Sequence, residues 1–203
     1  MVFGHGFDSR LVHCKVSKTL CFWHLFVILG EINEVELEYD IRMMNLEQQV
    51  VKQLIDYKWH IAFAESCTGG LAVGRLVNVP DASKVLDASV VTYANDAKIK
   101  YLGVFPETIQ KYGVVSEPVA SEMAQGVAKN NGADVGVAVS GIAGPGGGTE
   151  TKPVGMVCFG FFINGLVWTF TKYFGNIGRN EVRQASVDFV YETLAYLLDG
   201  FKK

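Results

Sequence analysis

The chain has 203 residues, of which 49% are hydrophobic and 19% charged, and its formal net charge is −3 at pH 7. A chain of this length can bury one substantial core. Its mild acidity argues against a nucleic-acid partner, because duplex-binding proteins usually carry a basic face. The four cysteines show no CxxC spacing, so neither a disulfide framework nor a zinc site is indicated.

The first 43 residues differ from the rest of the chain. Lys15 and Lys18 precede an apolar run over residues 20–29, which resembles a weak signal-peptide core but has no A-x-A-like cleavage site after it. The run is also too short to cross a bilayer, which takes about 20 apolar residues. We interpret residues 1–43 as an extension of unknown role, with targeting as the alternative. Met43 and Met44 precede a helix start, so translation could begin there, and residues 44–203 form the expected domain of a cytoplasmic protein without a membrane partner.

From Asn45 onward the pattern becomes regular. Asn45 is expected to cap a helix whose apolar residues recur at helical spacing over residues 46–55. Residues 59–64 predict a buried strand that ends in a polar turn, and residues 71–77 predict a helix. A second strand is expected over residues 85–93, and Asn95 is expected to cap the helix after it.

The second half of the chain continues the alternation and ends differently. Pro106 opens a short helix, and Ser116 is expected to cap a longer one with its core face at Val119, Ala120, Met123, Ala124 and Val127. Residues 134–140 predict an apolar strand. The dipeptide Asn164-Gly165 then predicts a β-hairpin between residues 154–163 and 166–173, and residues 182–198 predict a long amphipathic helix.

This order of elements predicts the fold class. Helices and strands alternate first, and a hairpin then joins the sheet, which indicates one layered α/β/α domain with a mixed sheet, a C-terminal β-hairpin and a long C-terminal helix.

Three polar or glycine-bearing loops leave predicted strand ends, at residues 65–70, 93–98 and 140–148. Ligands in open α/β sheets collect at the carboxyl ends of the strands, so we expect these loops on one rim. Five of the eight residues 141–148 are glycine. Such a loop can bring backbone amides close to an anion or a flat ring, although a surface turn is the alternative. No Gly-Lys-Ser/Thr follows, which disfavours a nucleoside triphosphate.

Ser66 is the candidate nucleophile. A serine needs a base to attack a carbonyl, and no histidine follows His60 in the chain. Lys98 lies on the neighbouring loop and can serve when burial favours its neutral amine. Amides at a helix N-terminus after Ser66 would stabilise a developing oxyanion. The alternatives are that Ser66 only caps the helix and that Lys98 is solvated.

Other polar residues near these loops have two interpretations each. Cys67 is a rival nucleophile or an inert core residue. Arg179 and Arg183 lie one helical turn apart and could clamp a phosphate, or form a solvated helix face. Tyr93 could stack on a cationic ring or simply pack.

Segments 64–70, 91–98 and 139–148 together resemble the C-terminal domain of competence/damage-inducible protein CinA, a family that includes stand-alone nicotinamide-nucleotide amidases. Segments 101–104, 113–116 and 152–155 occur in the family's order too, so the resemblance covers the chain from about Met44 to its C-terminus. The family's larger architecture carries an N-terminal domain without a counterpart here, which indicates the free-standing form.

The resemblance implies hydrolysis of nicotinamide mononucleotide to nicotinate mononucleotide and ammonia, with Ser66 and Lys98 at the catalytic positions and with neither metal nor cofactor. Ser140 stands where the family usually has threonine. Residues 175–179, which end in Arg179, match the family's usual Gly-Asp/Asn-Arg only loosely. The expected oxyanion and substrate contacts are Thr68, Gly69, Gly70, Tyr93, Asn95, Ser140, Gly141, Gly144, Gly146 and Gly147.

Two other functions remain open from the sequence. One is a module that binds a pyridine nucleotide without turnover, and the other is an amidase for a different carboxamide. In each case the expected partner is a small molecule. The apolar hairpin and the last helix would also support a homodimer.

Overall fold

The structure, a computed structural model, describes residues 44–202. The interpretations of residues 1–43, as an extension of unknown role or as a targeting segment, lie outside the described residues. Within the described part no helix is long and apolar enough to cross a membrane.

A five-stranded mixed sheet organises the domain, in the order β2-β1-β3-β4-β5. Its strands are β1 (Ile61–Glu65), β2 (Val90–Val91), β3 (Val135–Gly141), β4 (Met156–Ile163) and β5 (Leu166–Tyr173). Strands β2, β1 and β3 are parallel, and β4 and β5 add as antiparallel strands. The predicted mixed sheet is confirmed.

Six α-helices accompany the sheet in the described part of the chain. They are α1 (Leu46–Tyr57), α2 (Leu71–Val77), α3 (Asn95–Leu102), α4 (Pro106–Tyr112), α5 (Glu117–Asn131) and α6 (Arg179–Asp199), with a 3-10 turn at Ala82–Lys84. The C-terminal helix and the helix starting at Pro106 are as predicted.

The two faces of the sheet carry side chains of different size. On one face large residues such as Phe63 and Phe159 pack against α1, α2 and α6. On the other face small residues admit α5, because a Cβ at Gly136 or Gly160 would collide with backbone carbonyl oxygens of that helix. Helices therefore cover both faces, which makes the layered α/β/α arrangement that the sequence predicts.

Several local predictions are confirmed with their physical causes. Asn45 and Gln48 form a reciprocal capping box at the start of α1. Both residues of the hairpin dipeptide have positive φ, 46° at Asn164 and 89° at Gly165, as a type I′ turn requires. The predicted core face of α5 is buried throughout.

Three local predictions are wrong. The second strand is only Val90–Val91, because Ser89 uses its hydroxyl to accept from the Phe63 amide and so replaces a backbone pairing. Asn95 is the first residue of α3 and does not cap it. Ser116 occupies the N-cap position of α5, but its hydroxyl donates to the Gly113 carbonyl and accepts no hydrogen bond from a helix amide.

Candidate active site

Ser66 and Lys98, the predicted catalytic pair, meet at the carboxyl edge of the parallel strands. Ser66 follows β1, and its amide donates to the Val139 carbonyl on β3 (3.0 Å). Lys98 projects from the first turn of α3 and is 1% exposed. Its Nζ lies 3.1 Å from Ser66 Oγ and donates to the Thr92 carbonyl at 2.6 Å. The two side chains are therefore in hydrogen-bond contact without any conformational change.

The environment of Lys98 favours an uncharged amine. Burial lowers the pKa of Lys98 to about 8, while the neighbouring Cys67 acts in the opposite direction. A neutral amine keeps N–H bonds for the Thr92 carbonyl and has a lone pair to accept the Ser66 proton. The solvated alternative for Lys98 is thus excluded.

Cys67 lies beside Ser66 in a setting that suppresses its chemistry. Its side chain is buried, and burial raises the pKa of the Cys67 thiol to about 12. A thiol is nucleophilic as the thiolate, and this thiol stays protonated at neutral pH. The geometry favours Ser66 over Cys67.

A cavity of about 280 Å³ opens next to the pair. It brings together most of the predicted site residues, and its wall consists of Ser66, Cys67, Tyr93, Asn95, Lys98, Val114, Val115, Ser140, Gly141, Ile142, Ala143, Gly144, Gly146, Gly147 and Arg179. Tyr93 is 62% exposed and does not pack into the core.

An apolar part of this wall was not predicted. Val114, Val115, Ile142 and Ala143 line the cavity, although in sequence they have the appearance of ordinary packing residues. Their position in the sequence could have indicated them. Val114 and Val115 fall in one of the family-like segments, and Ile142 and Ala143 fall in residues 141–148, which are called the glycine loop from here.

Three predicted oxyanion contacts lie elsewhere. Thr68, Gly69 and Gly70 are absent from the cavity wall. The Gly70 amide already donates to Glu65 Oε2 at 2.9 Å, so the prediction that it serves an oxyanion is wrong. The buried carboxylate of Glu65, which the sequence did not indicate as a site residue, accepts the amides at the N-terminus of α2 instead.

The two arginines of α6 have separate roles. Arg179 lies at the cavity, where its guanidinium donates to the Gly144 carbonyl (2.8 Å) and to the Tyr93 hydroxyl (2.9 Å). Arg183 is not part of the wall and donates to the carbonyls of Cys67 and Thr68. The predicted joint clamp is therefore wrong for Arg183, because it lies outside the cavity wall and its guanidinium is bound to the carbonyls of Cys67 and Thr68 and to Asn180 Oδ1.

The glycine loop forms the opposite side of the cavity. Ser140, at its base, donates its hydroxyl to the Val114 carbonyl at 2.9 Å. Gly144 and Gly147 have φ values of +83° and +86°, which only glycine adopts without strain. Beyond the loop, Lys152 donates to the carbonyls of Tyr112 and Val115.

These features define an α/β protein whose candidate active site pairs a buried serine with a lysine of lowered pKa at the carboxyl edge of parallel strands. The CinA C-terminal domain family matches residues 43–198, and the chain belongs to that family.

Curated relatives agree with this assignment. The chain is 48% identical over 166 residues to a putative competence-damage inducible protein of Alkaliphilus metalliredigens, covering 82% of this chain and 39% of that protein. It is 43% identical over 166 residues to a CinA-like protein of Kosmotoga olearia, covering 80% and 40%. The chain thus spans about two fifths of the length of these relatives.

Solved structures share the fold. The competence/damage inducible protein CihA of Agrobacterium tumefaciens superposes with a TM-score of 0.73 at 41% identity, covering 76% of this chain and 93% of that one. A CinA superfamily protein of Klebsiella pneumoniae gives the same TM-score at 34% identity, covering 77% and 97%.

Proposed function

We propose that the protein is an amidohydrolase that converts nicotinamide mononucleotide to nicotinate mononucleotide and ammonia. The observation that carries the proposal is the contact of 3.1 Å between Ser66 Oγ and Lys98 Nζ, at the wall of a cavity and with the pKa of Lys98 lowered by burial. The substrate is the one that the family resemblance implies.

The first half of the reaction forms an acyl-enzyme. Neutral Lys98 accepts the Ser66 proton while Oγ bonds to the carboxamide carbon, and the carbonyl oxygen becomes an oxyanion. When the C–N bond breaks, the Lys98 ammonium returns the proton to the departing nitrogen, and ammonia leaves. The Thr92 carbonyl keeps Nζ directed at the reacting atoms throughout, because it accepts one of its N–H groups.

Water completes the cycle. Lys98 accepts a proton from water as its oxygen attacks the ester on Ser66, and the proton then returns to Ser66 Oγ as the nicotinate product leaves. General-base assistance is worth about 10²–10⁴-fold in rate, and one oxyanion donor about 10²–10³-fold. In this proposal the oxyanion donors are backbone amides of the cavity wall and not the Gly70 amide.

The rest of the cavity suits a mononucleotide. Arg179 offers a guanidinium at the cavity to a phosphate, and the exposed Tyr93 ring offers a face to the cationic pyridinium. The volume of about 280 Å³ lies just below the range of ligand pockets, about 300–1,000 Å³, and it suits a small ligand such as a mononucleotide. We also propose the cytoplasm as the location of this reaction.

The test is ammonia release from nicotinamide mononucleotide by the full chain, with nicotinamide and the dinucleotide as comparison substrates and with residues 44–203 assayed beside it. We expect the mononucleotide to give the highest kcat/KM and the shorter chain to match the full one. Calorimetric binding without product on prolonged incubation would indicate a binding module. Faster turnover of another carboxamide would overturn the assigned substrate.

A further inference from the structure

We propose that Glu65 and Arg183 are positioning residues for this reaction. They hold the Ser66 turn (residues 66–70) from outside the cavity, and this keeps Ser66 Oγ within reach of Lys98. The inference rests on the proposed function, because it assigns a role in the same Ser66 chemistry to two residues that do not contact the substrate cavity.

Glu65 ties the start of the turn to the helix behind it. It is the last residue of β1 and is 1% exposed. Its Oε2 accepts the amides of Gly70 (2.9 Å) and Ala72 (3.1 Å), and its Oε1 accepts the amide of Val73 (2.8 Å). Since the N-cap residue of α2 is a glycine without a side-chain cap, Glu65 satisfies amides that a capping side chain would otherwise take. The turn is thereby closed between the residue before Ser66 and the first turn of α2.

Arg183 holds the same turn through its carbonyls. From α6 its Nε donates to the Cys67 carbonyl (3.1 Å) and its Nη2 to the Thr68 carbonyl (3.0 Å). A guanidinium is a planar fork, and each peptide unit is planar, so these two bonds set the orientation of the peptide planes that follow Cys67 and Thr68. Gly69 has a φ of +60°, and a Cβ placed there would meet Arg183 Nη2 at 3.6 Å.

Both side chains act at a distance from the cavity. Ser66 and Cys67 belong to the cavity wall, whereas Glu65 and Arg183 do not. The amide of Ser66 is fixed by the Val139 carbonyl, and the rest of the turn is fixed by the carboxylate and the guanidinium. A shift of about 1 Å in a reacting group can cost about 10²-fold in rate. Loss of either side chain is therefore expected to lower kcat more than it changes KM.

The experiment compares Glu65→Gln and Arg183→Gln, each in the full chain, with matched controls elsewhere. Arg75→Gln removes a half-buried arginine of α2 that binds Glu47 and Asp188 and not the turn. Glu122→Gln alters a carboxylate that accepts from the Phe105 amide and the Thr108 hydroxyl. We expect kcat for nicotinamide mononucleotide to fall about 10–10²-fold in the two turn variants, with KM within about twofold, and to stay near wild type in both controls.

Two further measurements separate positioning from folding. Melting temperatures are recorded for all four variants, and Arg75→Gln is expected to melt as low as Arg183→Gln while it keeps its kcat. Arg183→Lys should recover part of the lost kcat, because an ammonium can still donate to one of the two carbonyls. If Glu65→Gln does not fold, the Arg183 series decides alone.

A second readout is independent of the substrate. A fluorophosphonate forms a P–O bond to Ser66 Oγ with loss of fluoride, and the rate of labelling follows from intact mass. We expect this rate to fall in Glu65→Gln and Arg183→Gln. If wild type is labelled but releases no ammonia, the assigned substrate is wrong and the labelling rates alone decide the inference. Unchanged labelling and kcat in both turn variants, or a change in KM alone, would overturn the inference only. If the wild type is not labelled by the fluorophosphonate and also releases no ammonia from nicotinamide mononucleotide, both proposals are overturned.

Discussion

The Ser66 turn and the glycine loop leave neighbouring parallel strands at the same edge of the sheet, yet they are held in opposite ways. The Ser66 turn is bound by a backbone carbonyl of β3, by the buried carboxylate of Glu65 and by the guanidinium of Arg183. In the glycine loop, Gly146, Gly147 and Gly148 are exposed and make no hydrogen bond with any residue from 44 to 202. Only its first half is attached, through the amide and carbonyl of Ile142, which pair with Met156 and Gly155, and through Arg179 at the Gly144 carbonyl.

The candidate site therefore assigns bond chemistry and ligand contact to two different loops. The atoms that form and break bonds need fixed distances, and they lie on the part of the chain with the most attachments. The atoms that would contact the nucleotide lie on a loop that lacks Cβ atoms at five of eight positions, so backbone can approach the ligand closely.

The largest loss of activity is expected from substitutions of the catalytic pair, Ser66 and Lys98. Lys98→Met removes the base and should lower turnover by about 10²–10⁴-fold, and Ser66→Ala should lower it at least as much, because it removes the nucleophile itself. Circular dichroism and melting should show a folded protein in both cases. Cys67→Ala serves as the control and should keep most of its activity, since its thiol stays protonated. Activity that survives Ser66→Ala but not Cys67→Ala would reverse the assignment.

A pH profile of activity tests the role of Lys98 as the base without a mutation. Because the pKa of Lys98 is lowered to about 8 and the base must be uncharged, kcat/KM should rise with pH from 6, bend near 8 and reach a plateau above it. At pH 7 only about a tenth of Lys98 is neutral, which leaves about tenfold in rate to be gained. A profile that is flat between pH 6 and 9 would contradict Lys98 as the base.

Binding of the nucleotide phosphate is tested through Arg179, which contacts the glycine loop at the Gly144 carbonyl. Arg179→Gln removes the charge offered to the phosphate, so KM for nicotinamide mononucleotide should rise about 10–10²-fold, in line with the loss of one charge-assisted contact of about 1.5–3 kcal/mol. The kcat should change less than KM. Hydrolysis of free nicotinamide, which has no phosphate, is the internal control and should be unaffected. An equal loss for both substrates would show that Arg179 shapes the cavity and does not bind phosphate.

The smallest expected effect compares one glycine from each loop. Gly69→Ala forces a side chain into a left-handed conformation (φ +60°) and should lower the free energy of unfolding by about 1 kcal/mol. Gly146→Ala enters open space without such a φ, and surface changes of this kind stay within about 0.5 kcal/mol. Urea unfolding measures both. Equal losses would remove the contrast between the two loops.

The sequence predicted the elements whose signals are local. The Asn164-Gly165 turn needs only two residues with positive φ, and the buried face of α5 follows from helical spacing alone. The Ser66–Lys98 contact was also accessible, because both residues follow strands that share an edge and the family-like segments contain them.

Two of the wrong predictions depend on partners far away in sequence, and a third depends on a nearby contact that no motif marks. The second strand was predicted to begin at Val85, but the Ser89 hydroxyl accepts from the amide of Phe63, and the strand is correspondingly short. Arg183 looked like one half of a phosphate clamp because of its spacing from Arg179, yet its carbonyl partners lie 116 and 115 residues away. No pattern along the chain indicates that the Glu65 carboxylate takes the Gly70 amide.

The most direct test of the central claim is the titration of Lys98 itself, by NMR of the full chain labelled with ¹⁵Nζ-lysine and assigned with Lys98→Met. We expect one lysine signal, absent from that variant, that titrates near pH 8, while exposed lysines titrate near their usual value of about 10.4. A Lys98 signal that titrates with the exposed lysines would contradict this, because an amine with an unshifted pKa is neutral in fewer than about one molecule in a thousand at pH 7 and so offers almost no lone pair to the Ser66 proton.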